Sequence, residues 1–399
     1  MAGTSGFSVS GYGPERGLWA TIAARDSLAR RLDWPLLFSA LALSAVGSVL
    51  VWSATRNRTD LNSGDPYHFL FRHILNTSIG LALMIGTIWL GHRTLRGAVP
   101  VLYGISVVLV LLVLTPLGAT INGAHAWIVL GGGFTLQPSE FVKITIILGM
   151  AMMLAARVDA GDQVHPDHRT VAKSLGLAVV PIVIVMMMPD LGSVMVMAVI
   201  VLGVLLASGA SNRWIFGLVG AGVVGAVAVA ALGVLDEYQI NRFAAFANPE
   251  LDPAGVGYNT NQARIAIGSG GLTGTGLFKG SQTTGQFVPE QQTDFVFTVA
   301  GEELGFVGAG LILLLLGVVL WRACRIARET TELYGTVVAA GIIAWFAFQS
   351  FENVGMTLGI MPVAGLPLPF VSYGGTSMFA VWIAVGLLES IRVQRPITA

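Results

Sequence analysis

In the stretch FVPEQQTDFVFTVAGEELGF, Asp294 stands where a polar, glycine-rich segment gives way to an apolar run. Partial loss of hydration at such a boundary makes a carboxylate a better base, suited to taking a proton from an alcohol. The competing reading is a helix cap, with Thr293 or Asp294 accepting from first-turn amides. Glu302 and Glu303 follow on the same run. On an uninterrupted helix they lie about 12–14 Å deeper than Asp294, and Glu302 then joins it in a polar interior seam with Lys143 as counter-ion. Structural pairing is the other role open to both glutamates. Glu140 and Lys143 open a second apolar run, QPSEFVKI, and their spacing places them side by side on one helical face. They read either as a cavity pair or as a packing ion pair behind Pro138, a residue suited to a helix start.

Arg242, Arg264 and Lys279 are the cations of the polar segment 236–293. An anionic group such as pyrophosphate bound there needs one of them; a solvated loop charge is the default reading for each, and Arg242, nearest the apolar region, is the one favoured for the binding role. The run GSGGLTGTG at 268–276 lacks the GK[ST] element of a phosphate loop, so its glycines read as tight turns or close packing. The segment NVGMTLGIMPVAGLPLPFVSYGGTS places Pro362, Pro367 and Pro369 among apolar residues, which rules out a continuous helix. Broken backbone at membrane depth is tolerated where it is buried in protein or lines a wet cavity. A site near Ser372, Tyr373 and Gly374 follows, with Pro367 and Pro369 shaping its wall.

The elements that must hold these residues are membrane helices. Of 399 residues, 54% are hydrophobic and only 11% charged, whereas soluble domains carry about 25% charged residues; mean hydropathy is +0.75. A water-soluble globular protein is thereby excluded. With 22 basic against 22 acidic residues, no basic surface is left to neutralise a nucleic-acid backbone. The single Cys324 permits no internal disulfide, and no Cys/His cluster has metal-ligand spacing, the nearby His165 and His168 reading as a solvated loop. Ten apolar runs of spanning length occur at 34–53, 71–91, 97–117, 139–156, 172–189, 191–209, 214–235, 294–320, 334–357 and 368–390. Their uniformly apolar character indicates an all-α polytopic membrane protein rather than a β-barrel. The expected plan is a polar tail at 1–33, one transmembrane domain at 34–390 and a short tail at 391–399. Within it, a large outer loop at 236–293 separates the seventh and eighth spans. Lys and Arg concentrate in alternate connections, and those at 118–137 and 358–367 have none. Both termini are therefore expected to be cytoplasmic.

Four motifs carry a family resemblance: QPSEFVK at 137–143, NPELDPAGVGYNTNQARIAIGSGGLTGTG at 248–276, FVPEQQTDFVFTVAGEELGFVG at 287–308 and NVGMTLGIMPVAGLPLPFVSYGG at 353–375. In this order they resemble the SEDS (shape, elongation, division and sporulation) family of bacterial peptidoglycan polymerases. The GMTLG form is closer to its elongation-type, RodA-like branch than to the division protein FtsW. The chain departs from the family's pattern at Ala126 and Gln292, where an Arg and a His often stand. The resemblance implies a glycosyltransferase of the bacterial cytoplasmic membrane that polymerises lipid II on the extracellular side. It implies that Asp294 is the essential catalytic residue and that Glu140 and Lys143 lie by the central cavity. In the inverting mechanism so implied, Asp294 takes the proton of the acceptor GlcNAc 4-hydroxyl. Arg242, with Lys143 or Lys279, then steadies the departing undecaprenyl pyrophosphate. The implied partners are a class B penicillin-binding protein and membrane lipid. No cofactor is dictated; a divalent cation, Mg2+ or Mn2+, could share the leaving-group task, although the sequence shows no ligand set for it. Two alternatives from other classes stand beside this reading: a lipid II flippase or transporter, and a scaffold that only holds a penicillin-binding protein.

Overall fold

The structure is a computed structural model that describes residues 28–59, 64–121, 124–131, 134–188, 190–231 and 256–395. Its transmembrane part is a bundle of helices, as the apolar runs require. Eight described helices are long and apolar enough to cross a membrane: α1 (Trp34–Thr55), α2 (His68–Leu90), α3 (His92–Val113), α4 (Pro138–Asp159), α5 (His168–Met186), α10 (Gly305–Glu329), α11 (Leu333–Leu358) and α12 (Gly375–Val393). A shorter apolar helix, α6 (Leu191–Ala207), and α7 (Asn212–Ala231) accompany them. Outside the spans lie helix α8 (Val256–Ser269) and the half-length helix α9 (Val296–Glu303).

The helix starts follow local chemistry. Asp33, Asp167 and Asp190 each precede a helix and accept from an amide of its first turn, at 3.3 Å for Leu36, 3.0 Å for Thr170 and 3.0 Å for Ser193. Pro138 occupies the first turn of α4, where no amide partner is needed. Interior helices are distinguished from peripheral ones by burial. α12 and α4 are largely enclosed, with 78% and 67% of their spanning windows buried, whereas α3 has only 22% buried and turns Val101, Ile105 and Val108 outward. The enclosed helix α4 carries the buried Glu140 and Lys143, and α12 the buried Glu389.

At the end of the bundle bearing Arg322 and Arg392, Asp33 ties three helices together. Its carboxylate, wholly buried, accepts from Arg322 Nε at 2.8 Å and Nη2 at 2.7 Å and pairs with Arg392. Its amide donates to Glu389 at 2.9 Å. Burial of such a group is tolerated because every charge has a partner.

One connection carries structure that the sequence reading left unspecified, and two expected spans need correction. The connection at 118–136 is a three-stranded antiparallel sheet, β1 (Gly118–Ile121), β2 (Ala124–Gly131) and β3 (Phe134–Leu136), in the order β1-β2-β3. The run 294–320 is not one helix: α9 ends at Glu303, and Gly305, at φ +66°, breaks the path before α10. A Cβ at Gly305 would fall 2.2 Å from the amide nitrogen of Gly274, because the 270–276 loop docks into the break. Thr275 and Gly276 donate to the carbonyls of Glu302 and Glu303 at 2.9 and 3.1 Å, and Phe306 donates back to Gly271 at 2.9 Å. The glycine-rich run is thus packing against a helix break. Finally, the helix in 368–390 begins only at Gly375. The tail at 1–27 and residues 232–255, which include Arg242, lie outside the described residues.

Candidate active site

Glu290, at φ +51°, starts the turn that presents Asp294. Its carbonyl accepts from the amides of Thr293 and Phe295 at 3.2 and 3.1 Å, while its carboxylate accepts from the Thr293 hydroxyl at 2.9 Å. Asp294 therefore sits in a turn before α9, half-buried, and the N-cap position belongs to Phe295.

The proline-rich segment lies against this turn. After α11 ends on Gly359 in the left-handed conformation, residues 360–374 run without regular structure, and two amides of α11 pin them. Asn353, fully buried, donates through Nδ2 to the carbonyl of Asp294 at 2.7 Å and to that of Leu366 at 2.6 Å. One turn earlier, Gln349 Nε2 donates to the carbonyl of Pro367 at 2.7 Å. Tyr373 donates its amide to the Gln292 carbonyl at 2.8 Å, closing the segment onto the Asp294 turn from the other side. Phe370, at φ +67°, anchors the far end between Phe346 and Trp382, with edge-to-face centroid separations of 5.4 and 5.6 Å. A non-glycine residue in that region costs roughly 1–2 kcal/mol, offset here by aromatic packing.

These elements enclose a cavity of about 150 Å³, lined by Asp294, Glu140 and Asp190 together with Trp127, Gln137, Gly365, Pro367, Tyr373 and Thr376. Asp190 uses both oxygens, capping α6 and accepting from Gln137 Nε2 at 3.2 Å. Thr376 Oγ1 accepts from the Gln137 amide and donates to the Thr135 carbonyl, each at 3.1 Å, so the sheet, α4 and α12 meet at the cavity rim. Gly365, at φ +69°, lies so close that an added Cβ would be 3.4 Å from Asp294 Oδ2.

Glu140 and Lys143 form an ion pair of 2.7 Å. Lys143 is fully buried, also reaches Gln349 Oε1 at 3.3 Å and rests over the Trp345 ring at 4.6 Å. It stands behind the cavity wall, while Glu140 forms part of the wall and keeps Oε2 without a hydrogen-bond partner. Lys143 is consequently not the counter-ion of Glu302. Glu302 is buried elsewhere, accepting from the Gln282 and Thr283 amides at 2.7 and 2.8 Å and from the Thr283 hydroxyl at 2.7 Å. Glu303 accepts from Ser53 at 2.6 Å. Both glutamates bind the connection that precedes α9 to the bundle instead of forming a seam with Asp294. Ser372 is turned inward, its hydroxyl accepting from the Leu368 amide at 2.7 Å, and Pro369 is buried beneath it. Lys279 is exposed on the loop that precedes Ser281–Thr284, away from the cavity lining.

Sequence reasoning passed over Asp190, Gln137, Thr376, Gln349 and Asn353. The last two carried a readable signal, amides four residues apart on one face of an apolar helix. Among the described residues, no group of three or more His, Cys, Asp or Glu side chains is placed to hold a metal ion. The cavity carboxylates, one of them neutralised by Lys143 and one committed to a cap, do not fit a resident divalent cation.

A half-buried carboxylate beside an acceptor-lined cavity, at a joint of broken backbone, suits proton abstraction from a hydroxyl group. The family described as "Cell cycle protein" (FtsW, RodA and SpoVE) matches residues 34–396. The chain is 37% identical to the stage V sporulation protein E of Bacillus subtilis, covering 90% of this chain and 96% of that protein. It is 35% identical to the peptidoglycan glycosyltransferase MrdB of Escherichia coli K12, covering 91% and 94%. Among solved structures it resembles a chain of a peptidoglycan synthase complex studied for the coordination of polymerization and crosslinking, with TM-score 0.73, 31% identity and coverage of 90% and 97%. The crystal structure of the Thermus thermophilus rod shape determining protein RodA gives TM-score 0.65 at 31% identity, covering 90% and 96%.

Proposed function

The chain belongs to the FtsW, RodA and SpoVE family of peptidoglycan glycosyltransferases, and we propose that it joins lipid II units into glycan strands at the outer face of the bacterial cytoplasmic membrane. The observation that carries this reading is the placement of Asp294 in the wall of a cavity shared with Glu140 and Tyr373. Asp294 accepts the proton of the acceptor's GlcNAc 4-hydroxyl. The freed oxygen attacks the anomeric carbon of the donor sugar from the face opposite the phosphate. The new C–O bond forms as the bond to undecaprenyl pyrophosphate breaks, inverting that carbon. A donor with so good a leaving group needs one base, whereas glycoside hydrolysis employs two carboxylates. Glu140 lies in the same wall, with one oxygen held by Lys143 and the other buried without a hydrogen-bond partner.

A cavity of about 150 Å³ is smaller than the roughly 300–1,000 Å³ of pockets that engulf a drug-sized ligand. It therefore takes the reacting edges of the sugars, while pentapeptide and polyprenyl chains stay outside, the latter among the helices. Arg242 remains the proposed cation for the leaving pyrophosphate, with Lys279 as a second on the same outer connection. Lys143 acts on Glu140 and not on the substrate, as its two hydrogen-bond partners favour. No step of this scheme passes through a metal ion.

The elongation role rests on the GMTLG form at 355–359, and the inward termini on the distribution of Lys and Arg. Association with a class B penicillin-binding protein is proposed from the likeness to the synthase complex. The test is to incubate the purified chain with lipid II and resolve the products by length. Glycan polymer is expected; movement of lipid II across vesicle bilayers without polymer would favour a flippase, and neither activity would favour a scaffold.

A further inference from the structure

Away from this site, the bundle has a second opening, between α5 and α7. Among the described residues α7 packs closely only on α6, so its other side stands off from α5 and leaves a cleft of about 540 Å³. The cleft is lined by His168 and Leu175 on α5 and by Arg213, Trp214, Gly217 and Ala221 on α7. At its mouth Trp214 Nε1 donates to His168 Nδ1 at 2.9 Å, which fixes the separation of the two helix ends.

Its walls change character with depth. Gly217, Ala221 and Gly225 recur every fourth residue along one face of α7, and Cβ atoms at the two glycines would meet nothing within 4 Å. Leu175, Val179 and Val183 recur likewise on α5, with Val179 and Val183 exposed. Leu175, Gly217, Leu218 and Ala221 line the cleft itself, and the positions one or two turns further along each helix extend the same exposed apolar surface.

The mouth is basic. Arg213, which lines the cleft, is exposed and enters none of the ion pairs formed among the described residues. The nearest acid on α5, Asp167, caps that helix and lies outside the cleft lining. An aromatic residue and a free cation at the mouth, with an apolar lining behind them, match one ligand chemistry, a phosphodiester headgroup with acyl chains.

We infer that the cleft between α5 and α7 binds an anionic glycerophospholipid, its phosphate at Arg213 and one acyl chain along Gly217, Ala221 and Gly225. The lipid replaces the packing that α7 lacks on this side and so steadies the helix that leads into the outer connection. Which leaflet supplies the lipid rests on the inward-terminus orientation proposed above; binding itself does not.

The test is native mass spectrometry of the detergent-purified full chain with added phosphatidylglycerol or phosphatidylcholine of identical acyl chains. Phosphatidylglycerol should be retained about fivefold more, the effect of about one basic residue on an anionic lipid. Arg213→Gln should erase that preference, and Arg213→Lys should keep most of it. Ala221→Leu, which fills the cleft without changing charge, should lower retention of both lipids. Glycerol 3-phosphate, a headgroup without chains, should fail to displace bound phosphatidylglycerol. Equal retention of the two lipids, an unchanged preference in Arg213→Gln, unchanged retention in Ala221→Leu, or displacement by glycerol 3-phosphate would each overturn the inference.

Discussion

Asn353 offers a sharp test of how the fold aims Asp294, because one side-chain amide serves two backbone carbonyls on different segments. Its Nδ2 is 2.7 Å from the Asp294 carbonyl and 2.6 Å from that of Leu366. Replacing it with Ala leaves both acceptors without this donor in a fully buried position. Each loss costs roughly 1–3 kcal/mol, so about 2–6 kcal/mol is removed from the joint between the Asp294 turn and the proline-rich segment. If about 1.4–2.8 kcal/mol of that falls on alignment of the carboxylate, polymerisation slows roughly 10- to 100-fold. Asn353→Asp should be at least as damaging, since an ionised carboxylate turns two attractive contacts into repulsive ones. The assay is the initial rate of lipid II polymerisation at matched amounts of folded protein, with thermal unfolding measured alongside. A wild-type rate in Asn353→Ala would refute the idea that α11 positions the base.

Other consequences can be checked by single substitutions. Lys143→Met should leave Glu140 as an uncompensated buried carboxylate and destabilise the protein by about 3–5 kcal/mol, and adding Glu140→Gln should recover much of the loss in a thermal-shift cycle. Asp33→Ala strands Arg322 and should lower the unfolding temperature by a comparable free energy without a separate effect on the rate per folded molecule. Gly365→Val combines a left-handed backbone with a side chain against Asp294 Oδ2, and should depress turnover by tenfold or more while the helices remain folded by circular dichroism. Gly305→Ala should expel the 270–276 loop from the helix break and make it a new cleavage site in limited proteolysis.

The spans were legible because uninterrupted apolar runs have few other solutions in a bilayer. What escaped was decided by backbone geometry. Gly305 sits inside a run of spanning length, two residues after Glu303, and the docking of the 270–276 loop shows why the helix breaks there. The depth assigned to Glu302 failed with the helix, and its carboxylate is used to hold Gln282 and Thr283. The sheet at 118–136 escaped notice because it was read for its lack of cations, whereas its pairing, such as Gly118 with Ile128, is set by main-chain bonds. At the cavity, Asp294 and Glu140 stood out as ionisable groups bordering apolar runs. Asp190 precedes a span without a motif to mark it, and its approach to Gln137 depends on the crossing of α4 and α6. Asn353 and Gln349 were visible as amides, but what they bind is set by the path of residues 360–374.

The most direct measurement concerns the proton acceptor itself. Asp294→Asn preserves the shape of the side chain and removes its capacity to take a proton, so the rate of lipid II polymerisation by the purified variant should fall by at least about two to four orders of magnitude, with its unfolding temperature near that of the parent. Polymer formed within tenfold of the parent rate would contradict the assignment and move the search for the base to Glu140 and Asp190 across the same cavity.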